Sequence, residues 1–166
     1  MVFVLNYKYG TNYVSYQQDN ATMHQISTRF SIGVHILSLL DAMDGKRCSS
    51  KFIAGSVNTN PVIIRRLLRM LTQAGLINVE RGTDGGAVLS RPADKITLLD
   101  IYRAVGASDA TLFHMHERTN PKCPVGANIQ VALESTVDTA QQAMEAVLAR
   151  QTLVDITKDI LRRSQS

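Results

Sequence analysis

The sequence predicts a mainly α-helical fold with one small two-stranded β element and a long C-terminal helical region. Three observations carry that expectation. Apolar residues recur at spacings of three and four through most of the chain. One glycine-rich segment, Arg81 to Gly86, separates two short runs rich in β-branched residues. No Gly or Pro follows Gly126, so nothing punctuates the last quarter of the chain into turns.

Composition narrows the function. The apolar fraction is 45% over 166 residues, enough for a packed core in one domain. No apolar run approaches the roughly 20 residues of a membrane-spanning helix. Val2 to Leu5 is too short for a signal-peptide core. The two cysteines, Cys48 and Cys123, exclude a disulfide scaffold and point to a reducing, cytoplasmic setting. Net charge is +4, concentrated in the first 92 residues. Residues 58–92 alone hold five arginines against Glu80 and Asp84, a bias that suits a polyanionic partner. No nucleophile and base stand in a recognisable framework, so an enzyme is not expected.

Residues 1–22 differ from the rest. They hold four of the five tyrosines and show neither helical nor strand periodicity. They are expected to be a disordered extension, or an aromatic segment packing on a partner, with the compact domain beginning at Met23. Ile26, Phe30, Val34, Leu37 and Leu40 then follow helical spacing up to Met43, with Ser27 or Thr28 available as cap and Asp44-Gly45 as terminator. Ser49 or Ser50 can cap a second, short helix carrying Phe52, Ile53, Ala54 and Val57. After the break Asn58-Thr59-Asn60, Pro61 suits the first position of a third helix, which ends before Gly75.

In that third helix Ile64, Leu67, Leu68 and Leu71 form a buried stripe, while Val62, Arg65, Arg66 and Arg69 fall largely on the opposite side. A short helix, a tight polar turn and a helix with outward arginines fit a helix-turn-helix, and equally an ordinary amphipathic helix with a solvated basic face. Leu76 to Val79 and Ala87 to Leu89 read as paired strands joined through Asp84-Gly85, which adds a wing. The glycine-rich loop joins two strands and lacks a following Lys-Ser/Thr, so it is not a nucleotide cradle. A fourth helix starts at Ile96-Thr97-Leu98, capped by Thr97, and ends near Val105-Gly106. Residues 107–122 read as a sensor-type loop. Beyond them Ile129, Leu133, Thr136, Ala140, Ala143 and Val147 form a narrow apolar seam suited to a partner helix, either a second copy of the chain or its own first helix. A last helix would carry Leu153, Ile156, Ile160 and Leu161. The expected organisation is thus a winged helix-turn-helix domain over 23–106, the loop, and dimerisation helices over 123–166.

The wing Arg81-Gly82-Thr83-Asp84-Gly85-Gly86-Ala87-Val88-Leu89, followed by Ile96-Thr97-Leu98-Leu99-Asp100-Ile101, resembles the Gly-x-x-Gly-Gly wing and Ile-Thr-Leu-x-Asp-Ile helix start of the Rrf2 family of bacterial transcription regulators. The stretch from Ile53-Ala54-Gly55-Ser56-Val57 to Gly75-Leu76-Ile77 resembles its helix-turn-helix. Asn58 to Arg66, with Pro121-Lys122-Cys123-Pro124-Val125-Gly126, is most similar to the YwnA-like branch. The resemblance covers about residues 24–160. It implies a homodimeric, sequence-specific regulator, acting as a repressor on double-stranded DNA at a near-palindromic operator. The third helix would enter the major groove, with Arg65 and Arg66 reading bases and Thr59, Asn60, Pro61 and Val62 at its entry. Arg69, Ser49 and Ser50 would meet phosphates. The wing residues Arg81, Gly82, Thr83, Gly85 and Gly86 would approach the minor groove.

Iron–sulfur members of the family carry three cysteines in the loop before the dimerisation helix. This chain has Cys123 alone there, so no cofactor is expected, and His114, His116 and Cys123 are weak candidates for a metal. Cys48 lies among Lys46, Arg47 and Lys51 at the expected start of the second helix, and Cys123 follows Lys122. Neighbouring cations and a helix N-terminus favour thiolate, which makes both cysteines candidate redox groups and a disulfide between them a candidate switch. The alternatives are a winged-helix protein-interaction module, or a regulator that responds to a metal or small ligand without thiol chemistry.

Overall fold

The computed structural model describes residues 20–82, 85–106 and 118–165, with side chains from residue 28 onward. Helix α1 (Asn20–Ala42) leads into α2 (Ser50–Val57) and α3 (Pro61–Gln73). The strands β1 (Ile77–Glu80) and β2 (Gly86–Leu89) follow, then a 3-10 turn at Ala93–Lys95 and α4 (Leu98–Ala104). The long α5 (Pro124–Arg150) and the final α6 (Leu153–Arg163) complete the chain.

Helix α1 begins at Asn20, upstream of Met23, so Ser27 and Thr28 lie inside it and do not cap it. The stretch from Asn20 to Gln25 contains no Gly or Pro to stop the helix from propagating backward. The remainder of the aromatic extension, residues 1–19, lies outside the described residues. The buried stripe of α1 is also rotated from the expected one. Ile36, Leu37 and Leu40 are buried, while Phe30 and Val34 sit at its margin. Gly33 makes the rotation possible: a Cβ there would stand 3.1 Å from Val105 Cγ1 and 3.2 Å from Ile101 Cγ2. The missing side chain lets α4 lie close to α1.

Around that contact Ile53, Ile64, Leu67, Leu71, Leu76, Ile77, Ile96, Ile101 and Leu153 are all essentially inaccessible to water. Chain reversals occur where the backbone is forced left-handed, at Asp44-Gly45 (φ 47° and 77°) and Gly75 (φ 68°). Helix α4 carries a capping box, Asp100 N–H donating to Thr97 Oγ1 (3.0 Å) and Thr97 N–H to Asp100 Oδ2 (2.9 Å). At the start of α6 Asp155 Oδ2 accepts from both Thr152 N–H (3.0 Å) and the Thr152 hydroxyl (2.6 Å). The two capped starts are stitched together by Leu98 N–H to Gln151 O (2.9 Å) and Leu153 N–H to Ile96 O (2.8 Å). That stitch returns α6 to the head, where it packs on α1 and the 3-10 turn.

Helix α5 is different. Its 27 residues extend about 40 Å, and none of them is buried. It leans on α4 through Arg103 Nη2 donating to Glu145 Oε2 at 2.8 Å and Gln141 Nε2 donating to the Tyr102 hydroxyl at 3.4 Å, while Gln141 also donates to Glu145 Oε1 within α5. Met144 and Leu148 complete the attachment.

Candidate nucleic-acid interface

The helix-turn-helix is built by two side-chain caps and one left-handed residue. Ser49 caps α2, its Oγ accepting from Phe52 N–H at 3.1 Å. Asn58 ends the helix at φ 54°, a conformation asparagine tolerates better than most residues. Two residues later Asn60 Oδ1 accepts from Val62 N–H at 2.8 Å, with Pro61 in the first turn. These contacts set α3 across α2 with Ile64, Leu67, Leu68 and Leu71 buried, the stripe expected from sequence.

The arginines that α3 presents are not equivalent. Projected at about 100° per residue, Val62, Arg66, Arg69 and Gln73 point directly away from the buried stripe. Arg65 turns toward the wing and donates from Nε to Pro61 O at 3.2 Å. All three arginines are exposed, and α3 contains no acidic residue to neutralise them.

Between α3, the start of α2 and the wing runs a groove of about 660 Å³. It brings together Ser49, Ser50, Arg65, Arg69, Arg81, Gly82, Gly85 and Gly86 from the expected set. Arg66, Thr59, Asn60, Pro61 and Val62 are not among its walls: Arg66 and Val62 face out beside it, and Asn60 is engaged as a cap. Thr83 falls outside the described residues. The groove also contains Thr72, Gln73 and Val79, which sequence reasoning missed. The first two lie seven and eight residues after Arg65, so helical spacing could have found them. Val79 is 44% exposed on β1, and only the folded wing turns it toward α3.

The wing strands pair antiparallel, Ile77 with Leu89 through Glu80 with Gly86. A third segment joins them: Cys48 N–H donates to Ala87 O (3.0 Å) and Ala87 N–H to Cys48 O (2.9 Å). The adjacent glycines reflect close approach as well as turning. A Cβ on Gly86 would lie 2.9 Å from the Cys48 backbone, and one on Gly85 2.4 Å from Glu80 O. Arg47 forms an ion pair with Glu80 on the same edge. The wing root is therefore tied to the residue preceding the α2 cap, which couples the position of the hairpin to that of the helix-turn-helix.

This pairing overturns the premise for Cys48 as a thiolate. Its side chain is 1% exposed, its thiol points at Lys46 O (3.7 Å), and burial pushes the thiol pKa up. The flanking cations are exposed, so they leave the sulfur in an apolar setting. Cys123 is half-buried at the N-cap of α5, and both cysteines are free, without the disulfide considered from sequence. His114 and His116 lie outside the described residues. Among the described residues no three His, Cys, Asp or Glu side chains converge to hold a metal, and no helix is long and apolar enough to cross a membrane.

Comparison with known proteins accords with this geometry. The family model described as Rrf2, iron-dependent transcriptional regulator, matches residues 26–159. YwnA of Bacillus subtilis (strain 168), whose name describes an HTH-type transcriptional regulator, is 47% identical over 131 residues, covering 79% of this chain and 96% of YwnA. The structure of CymR (YrzC), the global cysteine regulator of B. subtilis, superposes with a TM-score of 0.60 at 27% identity over 79% of this chain and 94% of CymR. IscR of T. potens superposes with a TM-score of 0.60 at 25% identity over 80% and 85% of the two chains. The residues present do not fit an iron–sulfur cluster, which is held by a set of cysteine thiolates: the chain has two cysteines, and one is buried in the wing root. What the match and the geometry share is the reading head, and the chain belongs to the Rrf2 family as a DNA-binding winged-helix transcription regulator.

Proposed function

We propose that the protein acts in the cytoplasm as a homodimeric repressor on a near-palindromic operator. Residues 23–106, with α6 packed back on them, form the reading head and α5 the dimerisation helix, with 107–122 a sensor-type loop between them. The observation that carries the dimer is the uncovered seam of α5. Ile129, Leu133, Thr136, Ala140, Ala143 and Val147 share one side of the helix, flanking the stripe that touches α4. Leu133 is 41% exposed and Val147 62%. A helix of this length with no buried residue is stabilised chiefly by packing it does not find within its own chain. A two-fold axis through the seam would set two heads on successive half-sites of one duplex face.

Each head would place α3 in the major groove, with Arg66 toward bases and Arg65, drawn toward the wing and onto Pro61 O, toward the backbone. Arg69, Ser49 and Ser50 would lie toward phosphates, and Arg81 with Gly82, Thr83, Gly85 and Gly86 toward the minor groove. Thr59, Asn60, Pro61 and Val62 would line the entry. The signal enters elsewhere than Cys48, whose buried thiol suits packing; any thiol response would run through Cys123. Burial of Cys48 weighs against a two-cysteine switch.

Sedimentation equilibrium and fluorescence anisotropy test this reading together. A dimer that binds a selected duplex, and that loses on the order of 10³–10⁵ in affinity between about 50 and 200 mM salt while neutralising roughly 6–10 phosphates, supports it. A monomer that binds DNA equally well, or a dimer indifferent to salt, rules it out.

A further inference from the structure

The first turn of α3 presents an unexpected chemistry for a helix that meets DNA. Val62 is 62% exposed and Ile63 44%, two branched apolar side chains at the end of the helix that enters the groove first. Polar groups beside them are already engaged: Asn60 Oδ1 accepts from Val62 N–H, and Arg65 Nε donates to Pro61 O. The outward face therefore begins with an isopropyl group and continues one turn later with the Arg66 guanidinium and then Arg69.

In the major groove one base edge carries an apolar group, the 5-methyl of thymine. We propose that Val62, bordered by Ile63, reads a thymine through that methyl group, within about two base-pair steps of a guanine met by Arg66. The distance follows from helix geometry. Residues four apart rise about 6 Å along an α-helix, and base pairs repeat about every 3.4 Å. A protein partner would have to place acidic groups of its own against Arg66 and Arg69 as they lose water, whereas DNA brings phosphates along the whole groove. The inference rests on the reading of α3 as the major-groove element and adds to it the base that its apolar end selects.

The test uses the full-length chain and the tightest duplex it recovers from a random-sequence library. Each thymine is replaced singly by deoxyuridine, which removes the methyl group and keeps base pairing, and affinity is read by anisotropy. One thymine per half-site should weaken binding about fourfold when so replaced, the order expected for exposing one methyl group. Val62→Ala, which removes no buried side chain, should bind thymine and deoxyuridine duplexes equally at that position. Ile63→Ala should keep most of the discrimination. If no thymine is sensitive although selection yields a preferred duplex, the proposal fails and the regulator reading stands. If Val62→Ala retains the full fourfold difference, or Ile63→Ala alone abolishes it, Val62 is not the reader. If selection yields no duplex preferred over random DNA, both readings fall.

Discussion

Helices α3 and α5 are both striped with apolar residues, and the protein uses the stripes in opposite ways. The 13 residues of α3 bury Ile64, Leu67, Leu68 and Leu71 within the chain, whereas the 27 residues of α5 bury none. Helix propensity does not separate them. The partners do: α3 is flanked by α2, β1 and α4, while α5 projects from α4 with one side open. An apolar stripe therefore marks a surface that will be covered, and only the surrounding fold tells whether the cover comes from the same chain.

The sharpest way to break this contrast is to empty each stripe in turn. Leu71→Ala, at a site with no solvent exposure, should lower unfolding stability by about 2–5 kcal/mol, read by urea denaturation. A loss under about 1 kcal/mol would mean that the α3 stripe is less tightly packed than the full burial of Leu71 implies. Leu133→Asp, on the open side of α5, should leave the fold intact by circular dichroism while converting the protein to monomers and abolishing tight operator binding. A dimer that persists would put the interface on another face.

A smaller effect separates the arginines of α3. Arg66→Ala should weaken binding to the selected duplex by roughly 1–3 kcal/mol while sparing random DNA, the signature of a base contact. Arg65, held back on Pro61 O, should when replaced by Ala weaken both duplexes more evenly. The reverse ranking would show that Arg65 leaves its backbone contact on binding DNA.

The smallest expected effect lies where the two regions join. Hydrogen bonds from Gln141 and from Arg103 hold the Glu145 carboxyl below its ordinary pKa. A carboxyl whose folded pKa is depressed contributes fully above its unfolded value, near 4.3, and loses that contribution as pH falls through the folded one. The amide resonances of Tyr102 and Gln141 should therefore hold steady from about pH 7 to 5 and shift below about pH 4, with Glu145→Gln flattening the response. Since the pair is solvent-exposed, its worth to stability is small. Unchanged resonances down to pH 3 would mean that Met144 and Leu148 alone hold the joint.

Much of this molecule was legible from local chemistry. The α3 stripe, Thr97 as a cap and the hairpin around Gly82 and Gly85 follow from side-chain periodicity, capping and turn preferences, which act within a few residues. The start of α1 was misplaced because serine and threonine can cap a helix but do not oblige one to begin. Its buried face was misjudged because the absence of a side chain at Gly33 becomes an attraction only once α4 lies across it.

Sequence by itself thus determined which segments are helix or hairpin, which faces are apolar and where positive charge collects. Tertiary structure decided which charges share a groove, that Arg65 and Arg66 face different ways, and that α6 returns to the head while α5 stands clear. It also decided the state of Cys48. Nearby cations in sequence suggested a thiolate, but the sulfur is packed beneath the wing while those cations stay in water, and burial acts on the atom itself. Helix and turn signals are short-ranged and can be read along the chain. Burial and the faces that charges present depend on contacts between residues far apart in sequence, and those exist only after folding.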